Sequence, residues 1–416
     1  MRILLIHQYY MKNMDVPGGA RWNEMTKVWV QQGHKITVIA SMYDIATGRK
    51  LPGYKGKIFK HEKLCDGLDV VRVHTSERYD KNFFWRAWAY FTFIFFGFLG
   101  ALFFTRGKYD VVLATSPPLP VGPLGILAAF IKRCKFVFEV RDLWPESAID
   151  TGAVTNPIVI KIMFWMEKIS YKRASAINAL TPAFKDKLIN NKGMSEEKVW
   201  LIPNAADLDL IKPGPKDQEV IKRHGWDGKF VGLYIGAHGR ANHLWQLIET
   251  AKILKDEPEY MIACVGGGME REALMKKVKA ENLTNIQFIE PVSKKEVGTY
   301  LNTCDVSVIV LKKVDTFKTV YPNKMFDSMS AACPIIIAID GVARKLVTED
   351  ARSGVYVEPE NAQEIADKLR MYKKLPELAQ QHAQNGYKFV CEHFDRRKLA
   401  DKYITLIQEM LSAEDK

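Results

Sequence analysis

Paired cysteines are missing from this sequence. Its six, Cys65, Cys134, Cys264, Cys304, Cys333 and Cys391, are scattered, with no C-x-x-C and no metal-ligand spacing. A disulfide-stapled secreted fold and a zinc module are thereby excluded, and free thiols in a reducing compartment are expected. A P-loop, a zinc-protease motif and a Ser/His/Asp arrangement are also absent, as are short-period repeats and low-complexity tracts. The opening MRILLIHQYY has five apolar residues before His7, too few for the apolar core of a secretory signal. It reads as a first β-strand, and the chain is expected to stay in the cytoplasm.

Acidic charge is short in one half only. Residues 1–200 hold 29 Lys+Arg against 17 Asp+Glu, a balance of +12, whereas residues 201–416 hold 31 of each. A basic surface attracts nucleic acid or anionic lipid. Nucleic-acid binding is disfavoured, because the aromatics form one uncharged block instead of alternating with basic residues. The 47% apolar and 26% charged composition is that of folded protein, long enough at 416 residues for two domains.

The uncharged block is WAYFTFIFFGFLGALFF, Trp88–Phe104, and it shares the basic half. Between Arg86 and Arg106 there is no charge, and as a helix the 19 residues would extend about 28 Å, close to a hydrocarbon core. A crossing is excluded by topology: the strand beginning at Asp110 must pair with strands that precede Trp88. An interfacial helix, a shallow re-entrant hairpin broken near Gly97 and Gly100, or a packed interface remains. The segment is apolar on all faces, unlike a helix that covers a sheet with a polar outer stripe. Trp88, Tyr90, Arg86 and Arg106 suit the headgroup level, with Phe95 and Phe96 beneath it. Monotopic association of residues 84–106 with a membrane is the expectation.

Elsewhere, aliphatic runs alternate with helical patterns. RILLI, KITVIA, DVVRVH, DVVLAT, KFVFEV, SAINAL and KVWLIP lead the first half; FVGLYIG, YMIACVG, IQFIE, VSVIVL, PIIIAI and GVYVEP lead the second. Helices are expected at 20–32, 158–173, 244–254, 270–280 and 323–332. This rhythm predicts an α/β chain of two doubly wound parallel sheets. The break falls near IPNAADLDLIKPGPKD, giving domains at 1–200 and 201–386. Helices over 387–416 are expected to return to the first domain.

Ligands of such sheets gather at the carboxyl ends of the strands. Arg141, Asp142 and Glu146 follow KFVFEV, and His7 ends the first strand. Gly18-Gly19 and Gly266-Gly267-Gly268 stand at strand-to-helix turns where backbone N–H groups can meet an anion. In YPNKMFDSMS, Asn323 opens a helix and Lys324 lies in its first turn, where a cation opposes the dipole unless an anion binds. Asp327 shares that face and suits ribose hydroxyls. Arg240, in YIGAHGRANH, suits bidentate phosphate contact. Asp207 and Asp209 have the spacing of a metal-binding pair, although a solvated hinge is the better reading, and no metal is expected.

Taken in order, GGARWNEMTKVWVQQGHKITVIAS, YDVVLATSPPLP, FVFEVRDLWPES, VWLIPNAAD, YIGAHGRANHL and PNKMFD resemble glycosyltransferase family 4. The resemblance spans nearly the whole chain and is strongest to the branch making bacterial O-antigen, capsule and exopolysaccharide glycans. It implies the GT-B fold, with two Rossmann-like domains facing each other across a cleft, and a retaining, metal-independent glycosyltransferase with no cofactor. Arg240 and Lys324 would hold the diphosphate of a nucleotide-sugar, expected to be a UDP-sugar, and Asp327 its ribose. Backbone near Phe288–Val292, including Pro291 and Val292, would meet the base. Gly18, Gly19 and Arg21 would lie near the sugar and the acceptor, with Arg141 and Asp142 at the reacting centre.

The sequence departs from the family pattern at four positions. Thr319 replaces the first of two glutamates and Asp327 the second, Arg141 stands where a histidine is common, and Ala332 replaces a glycine. The expected reaction moves a hexose, an N-acetylated hexosamine or a deoxyhexosamine to a polyprenyl-diphosphate-linked saccharide on the cytoplasmic face of the plasma membrane. A sugar-nucleotide epimerase and a catalytically degenerate membrane scaffold are the rival readings.

Overall fold

Each aliphatic run named above forms a strand of a parallel sheet. Such strands are buried on both faces, which is why they read as unbroken Val, Ile and Leu. A computed structural model describes residues 1–11, 21–44, 49–77, 83–150, 152 and 154–413. The chain divides into two compact units: Gly18–Pro203 with the first strand and Arg397–Lys416, and Asn204–Arg396.

The first unit runs β1 (Arg2–Ile6), α1 (Arg21–Gln31), β2 (Lys35–Ser41), a short hairpin of β3 (Tyr43–Asp44) and β4 (Arg49–Lys50), β5 (Phe59–Cys65) and β6 (Leu68–Val73). It continues with α2 (Phe83–Leu99), β7 (Val111–Ser116), α3 (Val121–Lys132), β8 (Lys135–Val140), α4 (Glu146–Asp150), α5 (Pro157–Arg173), β9 (Ala176–Ala179), α6 (Pro182–Asp186) and β10 (Val199–Leu201). Its sheet order is β10-β9-β8-β7-β1-β2-β6-β5, parallel except for the edge strand β5.

The aromatic run does not form a hairpin. It is helical through Gly97 and ends in a π turn over Gly100–Phe104. A Cβ at Gly97 would come 2.8 Å from the Leu124 side chain, and one at Gly100 would come 3.1 Å from Val73. The glycines therefore let the helix press on α3 and the sheet; they do not break it. Ala89, Phe93, Gly97, Gly100 and Ala101 form the buried stripe, while Trp88, Phe91, Phe95 and Phe103 point outward and are exposed.

The second unit runs α7 (Gln218–His224), β11 (Phe230–Ile235), α8 (Trp245–Ile253), β12 (Tyr260–Val265), α9 (Arg271–Ala280), β13 (Ile286–Ile289), α10 (Lys294–Thr303) and β14 (Val306–Val310). Then follow α11 (Asn323–Ser330), β15 (Ile335–Ala338), α12 (Val342–Lys345), β16 (Gly354–Tyr356), α13 (Ala362–Lys374) and α14 (Pro376–His393). Its six-stranded sheet has the order β13-β12-β11-β14-β15-β16, all parallel.

The return to the first unit begins at Arg397, not near Tyr387. α14 stays with the second unit because Val390 is buried there and Gly386 sits against Ser353 and Met329. Only α15 (Arg396–Ser412) joins the first unit. Its Tyr403 packs edge-on among Trp22, Trp29 and Trp200, and Trp29 Nε1 donates to the Ala400 carbonyl at 3.0 Å.

Candidate active site

In the second unit the strand order reverses between β11 and β14, the place where doubly wound sheets bind ligands. Two loops and one helix meet at that edge. The loop after β11 is tied to the loop after β12 by Gly236 N–H to Val265 O, 2.9 Å, and His238 N–H to Gly267 O, 2.8 Å. The contact demands glycine. A Cβ at Gly266 would fall 1.9 Å from the Gly236 carbonyl, and one at Gly268 would fall 2.5 Å from that of His238. Both have positive φ, 142° and 153°. Gly268→Ala is expected to cost about 3 kcal/mol through backbone strain and overpacking, read as a lower urea midpoint for the second unit.

Lys324 occupies the second position of α11, whose N-cap is Pro322 with no capping side chain. Its ammonium donates to Tyr234 Oη at 2.8 Å and Asn242 Oδ1 at 3.1 Å, and lies 4.0 Å from the Tyr234 ring centre. Among the described residues no carboxylate pairs with it. Burial pushes it down from the ordinary 10.5 to about 7. A cation enclosed by neutral partners at the positive end of a helix is costly for folding and suited to an anion.

Around it, His238 is buried against Tyr234 and Phe288. Burial, then the charges of Arg271 and Lys324, lower it to about 4, so its imidazole is neutral at pH 7. Arg240 is exposed on the turn two residues before Asn242, and Asn323 is exposed at the start of α11. Pro291 is exposed and borders Gly267; Val292 beside it is half-buried.

Asp327, expected to be open to ribose, is held by Lys294 Nζ at 2.6 and 2.7 Å. Lys294, Tyr234 and Asn242 escaped the sequence analysis. For Lys294 a signal existed: Ser293 and Glu296 form a capping box that opens α10 with this lysine as its first residue.

In the first unit, Arg141 and Asp142 follow β8 and His7 follows β1. Asp142 accepts from Trp144 Nε1 at 3.2 Å and Ser147 Oγ at 2.9 Å, while burial raises its carboxyl. His7 is held neutral, well below its usual range, by burial and then by the charges of Arg141 and Arg72. Glu146 is ion-paired with Lys192 at 2.6 Å. Gly18 and Gly19 lie outside the described residues, as does the side chain of Arg86.

Arg21 is not placed to meet an acceptor or a membrane. It is buried, donates to both Glu139 oxygens at 3.2 and 2.9 Å, and also reaches the Ile202 and Pro203 carbonyls. Thr115 and Asn178 complete the Glu139 shell. Arg21→Met strands that carboxylate and is expected to cost about 3–5 kcal/mol, seen as early unfolding of the first unit in urea.

Asp207 folds into a turn, accepting from the Asp209 and Leu210 N–H groups at 3.1 Å each. Among the described residues no three His, Cys, Asp or Glu side chains are grouped to share a metal ion.

Residues 18–205 match the model of the Glycosyl transferase 4-like domain, and residues 216–389 match that of Glycosyl transferases group 1. A relative named for colanic acid biosynthesis, WcaI of Escherichia coli (strain K12), is 23% identical over 67% of this chain and 70% of its own. Sucrose-phosphate synthase from Thermosynechococcus elongatus superposes with a TM-score of 0.77 at 16% identity, covering 99% of both chains. HepE of Anabaena, in its complex with UDP-glucose, gives 0.72 at 17%, covering 99% of this chain and 100% of that one. With both domain models matched in order and two Rossmann-like parallel sheets to carry them, the chain belongs to glycosyltransferase family 4 and has the GT-B fold.

Proposed function

We propose that this glycosyltransferase moves a sugar, with retention, from a UDP-sugar to a polyprenyl-diphosphate-linked saccharide of a bacterial surface polysaccharide. One observation carries the donor half: a lysine with no carboxylate partner among the described residues, set at the start of α11 beside a close-packed glycine loop. Such a group lacks only an anion. HepE's complex with UDP-glucose and WcaI's name support the donor and the pathway class.

As the sugar–oxygen bond breaks, negative charge grows on the departing diphosphate. Lys324, Arg240 and the free N–H groups of α11 stabilise that charge where it forms. The acceptor hydroxyl attacks from the face the diphosphate leaves, and its proton passes to a departing phosphate oxygen. Neither a protein nucleophile nor a metal is required by this scheme. Asp327 and Lys294 exchange part of their mutual pairing for the ribose hydroxyls. Calorimetric titration with UDP, GDP and dTDP tests the donor. UDP should bind, and failure of all three to bind at millimolar concentration would remove the proposal. Proton NMR of the first product should show the donor's anomeric configuration; inversion would refute retention.

The acceptor half rests on α2. The run Ala87–Phe104, which spans most of α2 and the π turn after it, has a mean hydropathy of 1.9 and is one-third buried. Its outward aromatic side chains suit the interface of a bilayer, and the excess of positive charge in the same half suits its anionic cytoplasmic leaflet.

A further inference from the structure

The candidate chemistry of the first unit lies where its strands end. At the opposite edge, where β7 and β8 begin, a hollow of about 1030 Å³ opens in the same unit. Its lining combines the cations Arg133, Lys135 and Arg173 with the apolar side chains of Phe130, Ile131 and Leu411. Arg133 and Arg173 are exposed. Among the described residues the one acidic lining residue is Asp110, which already accepts the Arg2 backbone N–H at 2.6 Å.

Three helices, α2, α3 and α5, lie side by side on this face of the sheet: Gly97 meets Leu124, and Gly122 meets Ser170. Lys132 Nζ donates to the Thr105 carbonyl, fastening the end of the π turn to the last turn of α3. That fastening brings Phe103, 64% exposed, to the end of the layer that carries Phe130, 81% exposed. Phe130 thus lines the cationic hollow itself, and Phe103 is exposed at the end of the neighbouring helix.

We propose that this hollow binds the headgroup of an anionic phospholipid while Phe103 and Phe130 enter the acyl region. The amphipathic walls fit a phosphate joined to hydrocarbon better than a free anion. A second copy of the chain is a poor occupant, because two such basic faces repel. The proposal rests on the membrane reading of α2 and adds to it a specific site at the edge of the first unit's sheet opposite Arg141 and Asp142.

The test is flotation with phosphatidylcholine vesicles, with and without phosphatidylglycerol, using the full chain. Arg133→Glu with Arg173→Glu is compared with Lys55→Glu with Lys57→Glu, an equal charge change on exposed residues of the same unit. Wild type should prefer the anionic vesicles. The arginine pair variant should lose about thirtyfold or more of that preference, and the lysine pair only a few-fold, since each basic contact at the surface is worth about a factor of five. Both should keep wild-type thermal stability and UDP affinity. Equal losses in the two variants would overturn the site and leave the membrane reading standing. Wild type floating with neither vesicle would overturn both. If inorganic phosphate stabilises the wild type but not the arginine pair, and vesicle preference is absent, a small-anion site replaces the lipid site. Self-association lost with the arginine pair would likewise replace it with a subunit contact.

Discussion

Lys324→Met should turn over its donor about 10²–10³-fold more slowly than wild type, with most of the loss in kcat. The variant should be no less stable, and that combination is the diagnostic part. Met matches the length of the lysine and removes a charge that the fold encloses among neutral partners. A residue kept for packing would give the reverse: full activity and a lower midpoint. Linkage adds a second signature. The folded-state pKa, about 7, is depressed below the ordinary 10.5, so between these values the unfolded chain holds a proton that the folded chain releases. Stability should therefore rise with pH from 7 toward 10 in wild type relative to the variant, and the difference should flatten below pH 7. Urea midpoints at pH 7, 8 and 9 measure it.

The second large effect concerns the membrane. Phe91, Phe95 and Phe103 are each about half or more exposed on α2 and its π turn. Placing those free faces in hydrocarbon is worth on the order of 1 kcal/mol per ring. Replacing all three by Ser should thus weaken partitioning into anionic vesicles by about 10²–10³-fold. The buried stripe through Ala89, Phe93 and Gly97 is untouched, so the thermal midpoint should hold. Turnover of a water-soluble acceptor analogue should hold as well, while turnover on a lipid-linked acceptor in vesicles collapses. Unchanged flotation of the triple variant would assign these rings to a protein contact instead.

The parallel strands were legible because burial on both faces leaves no polar alternation to confuse them, as in VVLATS and VSVIVL. β5 was missed for the opposite reason. FKHEKLC is a half-exposed edge strand whose Glu62 is paired to Arg72 of its antiparallel neighbour, and its polar residues leave no aliphatic run to mark it. The C-terminal helices ran together in sequence because nothing but Phe394 and Asp395 separates them. Their break depends on the backbone pairing of Ala206 with Phe394 and Arg396.

At the candidate site, Lys324 was visible as a charge in the wrong helical turn, and the glycines as strand-end punctuation. Tyr234 and Asn242 were not visible. Their importance lies in reaching Lys324 across about 90 residues of sequence, and a single sequence carries no trace of that distance. Arg21 was misjudged on the same grounds. Its partner Glu139 stands 118 residues away in an apolar strand, where a buried acid looks like an interruption until its cation is found.

Proton uptake on UDP binding is the most direct measurement. At pH 8 UDP is fully ionised, whereas most Lys324 side chains are neutral in the free protein. Gripping the diphosphate should draw a proton onto that amine. Calorimetry in buffers of differing ionisation enthalpy should record an uptake approaching one proton per UDP in wild type and essentially none in Lys324→Met, whose affinity should also be weaker. Equal uptake and equal affinity in the two proteins would mean that the nucleotide binds elsewhere.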